Sequence, residues 1–299
     1  MAERSRVNLR GTRKGKMAKS RLGQNFLADR SAAERIVDAL GDISHSLVME
    51  IGPGRGALTD ILAQKAGRMI AIELDPMLAA GLRMKYSDQQ NVEILEGDVL
   101  AVDFRTALNP PAEPLSDAAP SAPGKVRVIG NLPYYITSDI LLRLFEFHEL
   151  FDQIVIMVQL EVAERIAARP GTRDYGLLSA TTQLYTQAQK LFTLPPGAFS
   201  PPPRVQSAVV RLTVAPRFQE LGVPAREFID FLKLAFAMKR KTLMNNLKKS
   251  YPEDLVRAAL QETGTRQDIR AEALPLEESA EIFRRLAKKN ISPRSHSAT

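Results

Sequence analysis

The stretch from Leu47 to Leu74 leaves few choices of fold. Leu47-Val48-Met49-Glu50-Ile51 is an apolar, strand-like run, followed at once by Gly52-Pro53-Gly54-Arg55-Gly56. Leu58, Ile61 and Leu62 then recur at helical spacing, and Met69-Ile70-Ala71-Ile72-Glu73-Leu74 makes a second strand-like run. Strand, glycine turn, helix and strand in this order form the unit from which parallel sheets are built. Glycines in the turn let backbone approach a ligand closely. A carboxylate about 20 residues on, at the end of the second strand, suits the two hydroxyls of a ribose. Here Gly52 and Glu73 are 21 residues apart.

The turn reads G-x-G-x-G rather than the G-x-G-x-x-G of dinucleotide sites, and Pro53 deprives it of one N–H. A pyrophosphate needs such donors, whereas an adenosyl ligand without phosphate does not. The unit therefore points away from NAD and toward S-adenosylmethionine, with a glycine turn that holds no ligand as the alternative.

Later runs repeat the alternation. Val92-Glu93-Ile94-Leu95 ends in Glu96-Gly97-Asp98, where Asp98 either accepts from an adenine amine or is an ordinary turn residue. Val126-Arg127-Val128-Ile129 leads into Gly130-Asn131-Leu132-Pro133-Tyr134, and Ser138 to Phe147 is helical in pattern. This loop lies at the C-terminal end of a strand, where open α/β sheets bind ligands. The Asn131 side-chain oxygen and the Leu132 carbonyl are two acceptors beside the flat face of Tyr134. Pro133 stiffens the turn. The set suits a planar base with an exocyclic amine; a plain loop with a half-buried Tyr is the alternative.

Ile154 to Val158 predicts a fifth strand, Glu161 to Ala168 a helix, 169–176 a loop, and the chain to Leu194 a helix or strand pair. The proline-stiffened segment Phe199–Val205 is expected to present Phe199, and Ser207 to Val214 forms a strand. The expected fold class is α/β, a Rossmann-like, doubly wound parallel sheet followed by a small all-helical C-terminal domain. The expected division is a basic tail at 1–21, a catalytic domain at 22–215 with a Pro-rich insertion at 109–124, and a helical domain at 216–299. Phe228, Phe231, Leu232, Ala235 and Phe236 fall at helical spacing and are expected in the core. Lys233, Lys239, Arg240, Lys241, Lys248 and Lys249 make a basic stretch that reads as a solvated face or an RNA contact, with Thr242, Asn245 and Asn246 within reach of phosphates.

Charge and composition narrow the chemistry. Of the net charge of +7, all is carried between Met1 and Arg21, where eight basic residues face Glu3 alone. Such tails commonly touch nucleic acid, a transit peptide or an inert tail being the alternatives. The 299 residues contain no cysteine and three scattered histidines, His45, His148 and His296, so neither thiol chemistry nor a histidine-rich metal site is expected. No apolar run approaches the roughly 20 residues of a membrane span. The first 19 residues lack a signal-peptide core, and a cytoplasmic location is expected.

The motifs together resemble the ribosomal RNA adenine dimethyltransferase family, closest to its bacterial small-subunit members. They are GQNFL at Gly23–Leu27, EIGPGRGALT at Glu50–Thr59, IELD at Ile72–Asp75, GDVL at Gly97–Leu100 and GNLPYYIT at Gly130–Thr137. EVAERI at Glu161–Ile166, DYG at Asp174–Gly176, FSPPPRVQSAVVRL at Phe199–Leu212 and AFAMKRKTLMNNL at Ala235–Leu247 extend the likeness. Leu160, Leu177 and the insertion depart from the family pattern. The resemblance implies that Asn25, Leu27, Gly52, Glu73, Asp98 and Asn131 line an S-adenosylmethionine site. It further implies that Asn131, Leu132 and Tyr134 grip a target adenine with Phe199 on its other face. Lys239, Arg240, Lys241 and Lys248 are then the RNA contacts, and immature small ribosomal subunits the partner of a monomeric enzyme. A DNA adenine methyltransferase, a large-subunit RNA methyltransferase and a non-catalytic assembly protein are the rival readings.

Overall fold

The computed structural model describes residues 25–108, 125–133 and 135–290. The basic tail, the Pro-rich insertion and Tyr134 lie outside the described residues. A two-residue strand β1 (Phe26–Leu27) precedes α1 (Arg30–Asp38), β2 (Leu47–Ile51), α2 (Thr59–Lys65), β3 (Arg68–Glu73), α3 (Pro76–Lys85) and β4 (Val92–Glu96). Then come α4 (Phe104–Ala107), β5 (Val126–Asn131), α5 (Thr137–Glu146), β6 (Phe151–Gln159), α6 (Leu160–Ile166) and α7 (Leu177–Tyr185). The strands end with β7 (Thr186–Leu194), β8 (Phe199–Ser200) and β9 (Ser207–Val214). Helices α8 (Phe218–Leu221), α9 (Ala225–Ala235), α10 (Leu243–Leu247), α11 (Glu253–Glu262) and α12 (Leu276–Asn290) follow.

Short polar side chains start several of these helices. Asp29 accepts from Ala32 N at 3.0 Å and so caps α1. Asp75 accepts from Met77 N and Leu78 N at the start of α3, with Pro76 as its first residue. A side-chain oxygen at this position satisfies N–H groups that the helix leaves unpaired, and Pro there costs no hydrogen bond.

Seven strands form one sheet in the order β4-β3-β2-β5-β6-β9-β7. The five from β4 to β6 are parallel, as the alternation of strand and helix predicts. The expected doubly wound, mostly parallel sheet is present, with one departure at the far edge, where β9 pairs antiparallel with both β6 and β7. β7 reaches β9 without a crossover helix, and strands joined that way run antiparallel. The stretch to Leu194 that was ambiguous between helix and strand is one of each, α7 and then β7.

Period-2 alternation sends neighbouring side chains to opposite faces of the sheet. Met49, Ile70, Val128 and Ile154 join a core with α4 to α7. Val48, Met69, Ile129 and Val155 join another with α1, α2 and α3. Only helices follow Val214 among the described residues, and their apolar faces extend the first of these cores. Phe228, Phe231, Leu232 and Ala235 of α9 belong to the same buried cluster as Leu178 and Leu184 of α7, whereas Phe236 is partly exposed. The Phe228 ring meets Phe283 of α12 edge-on, with centroids 5.4 Å apart.

Close packing at the centre of the sheet fixes one glycine. A Cβ on Gly130 would lie 2.7 Å from the Ile51 carbonyl oxygen, a backbone atom that cannot turn aside. Gly130→Ala is therefore expected to push β5 away from β2 and cost about 1–3 kcal/mol, the usual range for overpacking. Urea denaturation measures this, and wild-type stability in that variant would show that the two strands separate freely.

Candidate functional site

The C-terminal ends of β2 and β5 converge on one cavity of about 330 Å³, within the size range of small-ligand sites. Its walls include Asn25, Phe26 and Leu27 from the β1 segment, Glu50 to Arg55 apart from Ile51, and Asn131, Leu132, Pro133 and Tyr135. The glycine turn and the Asn131 loop, distant in sequence, are thus brought together as the pattern predicts.

Gly52 and Gly54 adopt φ of 65° and 58°, the left-handed region that glycine enters without steric cost. At Gly54 a second constraint applies, since a Cβ would lie 3.1 Å from the Phe26 ring. The Arg55 guanidinium sits 4.5 Å from the centroid of that ring. Glu73 is buried at the end of β3. Its Oε2 accepts from Gly54 N and its Oε1 from Asp75 N, each at 2.9 Å. The carboxylate thereby fixes the turn it was expected to complement, although it is not part of the cavity wall itself. Asp98 is exposed beyond β4, where its Oδ1 accepts from Leu100 N at 2.9 Å, and it too stands outside the wall.

Asn131 ends β5, and its Nδ2 donates to the Asn25 carbonyl at 3.1 Å. That bond identifies which end of the amide is the donor, leaving Oδ1 as its acceptor end. Leu132 is buried and its N–H donates to the Met157 carbonyl at 3.1 Å, so the loop starts from a fixed point on β6. Farther on, the Pro133 carbonyl accepts from Thr137 Oγ1 at 3.0 Å.

Phe199 requires a correction, because the proline-stiffened segment does not present its ring openly. Phe199 is 4% exposed, pairs with Leu27 through the β1–β8 ladder and packs in the core beside α1. Burial of an aromatic ring outweighs the local stiffness that suggested display. Thr242 and Asn246 also differ from expectation. Thr242 caps α10 by accepting from Asn245 N, and Asn246 is 1% exposed with Nδ2 donating to the Ala235 and Met238 carbonyls at 2.6 and 3.3 Å. Neither is aimed at a phosphate. Lys239, Arg240, Lys241 and Lys248 are exposed.

Sequence reasoning did not single out Phe26, Arg55, Tyr135 or Glu50. Tyr135 is 64% exposed at the cavity wall. Glu50 is 1% exposed yet belongs to the wall, and its Oε2 accepts from Thr59 Oγ1 at 2.7 Å. Burial pushes its pKa up to about 8, with the nearby Glu73 and Asp60 charges adding and the Thr59 bond opposing. A lone carboxylate inside an otherwise apolar strand was the available signal, since such residues are almost never fully buried without a partner.

Comparison with known proteins places this geometry. The profile of the family described as ribosomal RNA adenine dimethylase matches residues 15–288. A ribosomal RNA small subunit methyltransferase A of Koribacter versatilis is 59% identical over 270 residues, spanning 90% of this chain and 95% of its own. The protein of that name from Bacillus licheniformis is 39% identical over 273 residues, spanning 90% and 91%. Among solved structures, a dimethyladenosine transferase from Plasmodium falciparum shares the fold with a TM-score of 0.70 at 24% identity, covering 89% of this chain and 98% of its own. The 23S rRNA methyltransferase ErmE aligns with a TM-score of 0.61 at 28% identity, covering 88% and 100%.

The raised pKa of Glu50 has a definite consequence for stability. Its folded value of about 8 lies above the ordinary 4.5, so between those pH values the folded state holds a proton that the unfolded state has lost. Stability then falls as pH rises through this window and levels off above it. Glu50→Gln cannot ionise, so its melting temperature relative to the unmodified protein should climb from pH 5 to pH 8 and stay flat beyond. A difference in melting temperature that is constant from pH 5 to pH 8 would contradict a neutral, buried Glu50.

Proposed function

Because this chain belongs to the ribosomal RNA adenine dimethylase family, we propose that it transfers methyl groups from S-adenosylmethionine to N6 of adenines in small-subunit ribosomal RNA. It dimethylates two adjacent adenines near the 3′ end during ribosome biogenesis. The observation that carries this reading is the Asn131 amide, tied to Asn25 at one end and set in the wall of the cavity beside the glycine turn. The RNA is small-subunit rather than large-subunit because relatives matching nearly the whole chain bear small-subunit names.

The residues present suit the cofactor. Glycines at Gly52 and Gly54 allow close backbone approach, and Glu50 places a buried carboxylate at the wall where a ligand bearing positive charge would favour its ionised form. Asn25, Leu27 and Asn131 stand on the same wall; Glu73 closes β3 and Asp98 follows β4, both outside that wall, and the proposal assigns them to the ribose and the adenine. When bound, the cofactor supplies an electrophilic methyl on a sulfonium.

Asn131 Oδ1 and the Leu132 carbonyl accept the two N–H groups of the target amine. Its lone pair, otherwise delocalised into the ring, is then directed at the methyl. With the cofactor held there, its methyl would pass to that nitrogen while the sulfur kept the bonding pair, and the alkylated nitrogen would give its proton to water. Positioning and preorganised dipoles carry the rate, so no histidine or cysteine is needed. Tyr134 and Phe199 clamp a base taken out of its stack, at roughly 1–3 kcal/mol per stacked base. Since Phe199 is covered in the free protein, RNA binding has to uncover it. Lys239, Arg240, Lys241 and Lys248 hold the immature small subunit by its phosphates. The reading includes a monomeric enzyme in the cytoplasm, where ribosomes assemble. No helix of the described residues is long and apolar enough to cross a membrane.

Asn131→Ala should reduce methyl transfer about 100-fold or more, the scale on which misplacing reacting groups costs rate, with the fold and most cofactor affinity retained. Single-turnover kinetics beside calorimetry of cofactor binding separates the two effects. Undiminished dimethylation by this variant would remove Asn131 from the mechanism.

A further inference from the structure

Three loops far apart in sequence meet on one side of the helical region. The loop 169–174, between α6 and α7, is fastened at three points. Gly171 N donates to the Glu272 carbonyl at 2.8 Å, and Lys239 Nζ donates to the Arg173 carbonyl at 2.8 Å. At the loop's end the buried Tyr175 ring meets Phe236 edge-on with centroids 6.0 Å apart. The facing loop 237–241, between α9 and α10, is pinned from beneath by Asn246, whose amide spans the Ala235 and Met238 carbonyls, and closed by Lys241 N on the Met238 carbonyl at 3.0 Å. Apart from Lys239, these ties use backbone atoms, the Asn246 amide and the Tyr175–Phe236 contact, so the arrangement does not depend on the side chains of Arg169, Arg173, Arg240 or Lys241.

Those exposed side chains are mainly cations. Arg169 and Arg173 point the first loop's charge outward against one acid, Asp174, and Arg240 and Lys241 do so for the second. Elsewhere arginines and lysines commonly meet carboxylates, as Arg68 meets Glu93, Arg217 meets Glu277 and Arg257 meets Glu253. Among the described residues, Arg169, Arg173, Arg240 and Lys241 take part in no ion pair. Lys239, by contrast, serves partly as a strut between the loops.

We propose that the loops 169–174 and 237–241 form one preassembled surface for the phosphate backbone of folded RNA, in which Arg169 and Arg173 are phosphate-contacting residues and Lys239 is the tie. The proposal deepens the RNA-methylating reading and rests on it. Fixed cations on two braced loops set the orientation of the RNA, because phosphate contacts made from defined positions fix its register.

The test is a salt titration of the full chain binding unmethylated small-subunit ribosomal RNA, with steady-state methylation alongside. Arg169→Gln combined with Arg173→Gln keeps every backbone tie, so its melting temperature should be unchanged. The slope of log affinity against log salt should shrink by roughly 1 to 2, since each phosphate contact contributes about 0.7–0.9. KM for RNA should rise about tenfold, with kcat and cofactor affinity unchanged. Lys65→Gln combined with Arg68→Gln, an equal loss of charge on the opposite part of the fold, should leave KM as it was. If the Arg169 and Arg173 pair behaves like that control while Arg240→Gln with Lys241→Gln raises KM, the loop 169–174 is not part of the surface and the methylation reading stands. If neither pair changes the slope or KM, the surface as a whole is overturned.

Discussion

The Glu73 carboxylate holds the site together. Each of its oxygens accepts a backbone N–H, from Gly54 on the turn after β2 and from Asp75 at the cap of α3. Hydrogen bonds to a charged acceptor are stronger than neutral ones, and burial removes competing water. A single side chain thus fixes the glycine turn against the neighbouring strand. Phe26 lies over Gly54, Asn25 precedes Phe26, and Asn131 is tied to Asn25. The acceptor assigned to the target amine is therefore linked, through three contacts, to the carboxylate that fixes the cofactor turn.

Much of this was legible in the sequence, for identifiable reasons. Glycine spacing and the terminal carboxylate report backbone geometry directly, because few residues tolerate the φ values at Gly52 and Gly54. Hydrophobic alternation located the strands, since Val48 and Met49 or Val128 and Ile129 must face different cores. It carries no information on which strand neighbours which, and so the antiparallel insertion of β9 between β6 and β7 was not visible. Phe199 and Asn246 were misplaced for a related reason. Proline stiffness around Phe199 is local, whereas its burial depends on a two-residue ladder with β1. Asn246 lies in a basic stretch but turns inward to hold two carbonyls, which only the tertiary fold decides. Glu50 stands out in the sequence only as a carboxylate inside an apolar strand, whereas the cavity beside it is a product of the tertiary fold.

The two functional halves are built on different physics. The cavity is a low-dielectric site where fixed dipoles and a buried carboxylate act at short range. The basic loops act in water, where screening limits each cation to neighbours within about 8–10 Å. Continuity of the core from the sheet through α7 to α9 and α12 joins them, so that on the proposed reading RNA docked on the loops would sit at a fixed place relative to Asn131. On that reading the geometry of docking would decide which adenine reaches the acceptors.

The most direct test of the central claim is mass mapping of modified nucleotides after incubating the protein and S-adenosylmethionine with unmethylated small-subunit particles, small-subunit RNA and large-subunit RNA. The account expects two adjacent adenines near the small-subunit 3′ end, each carrying two methyls on N6. Modification confined to large-subunit RNA, or at a ring nitrogen or ribose, would contradict it.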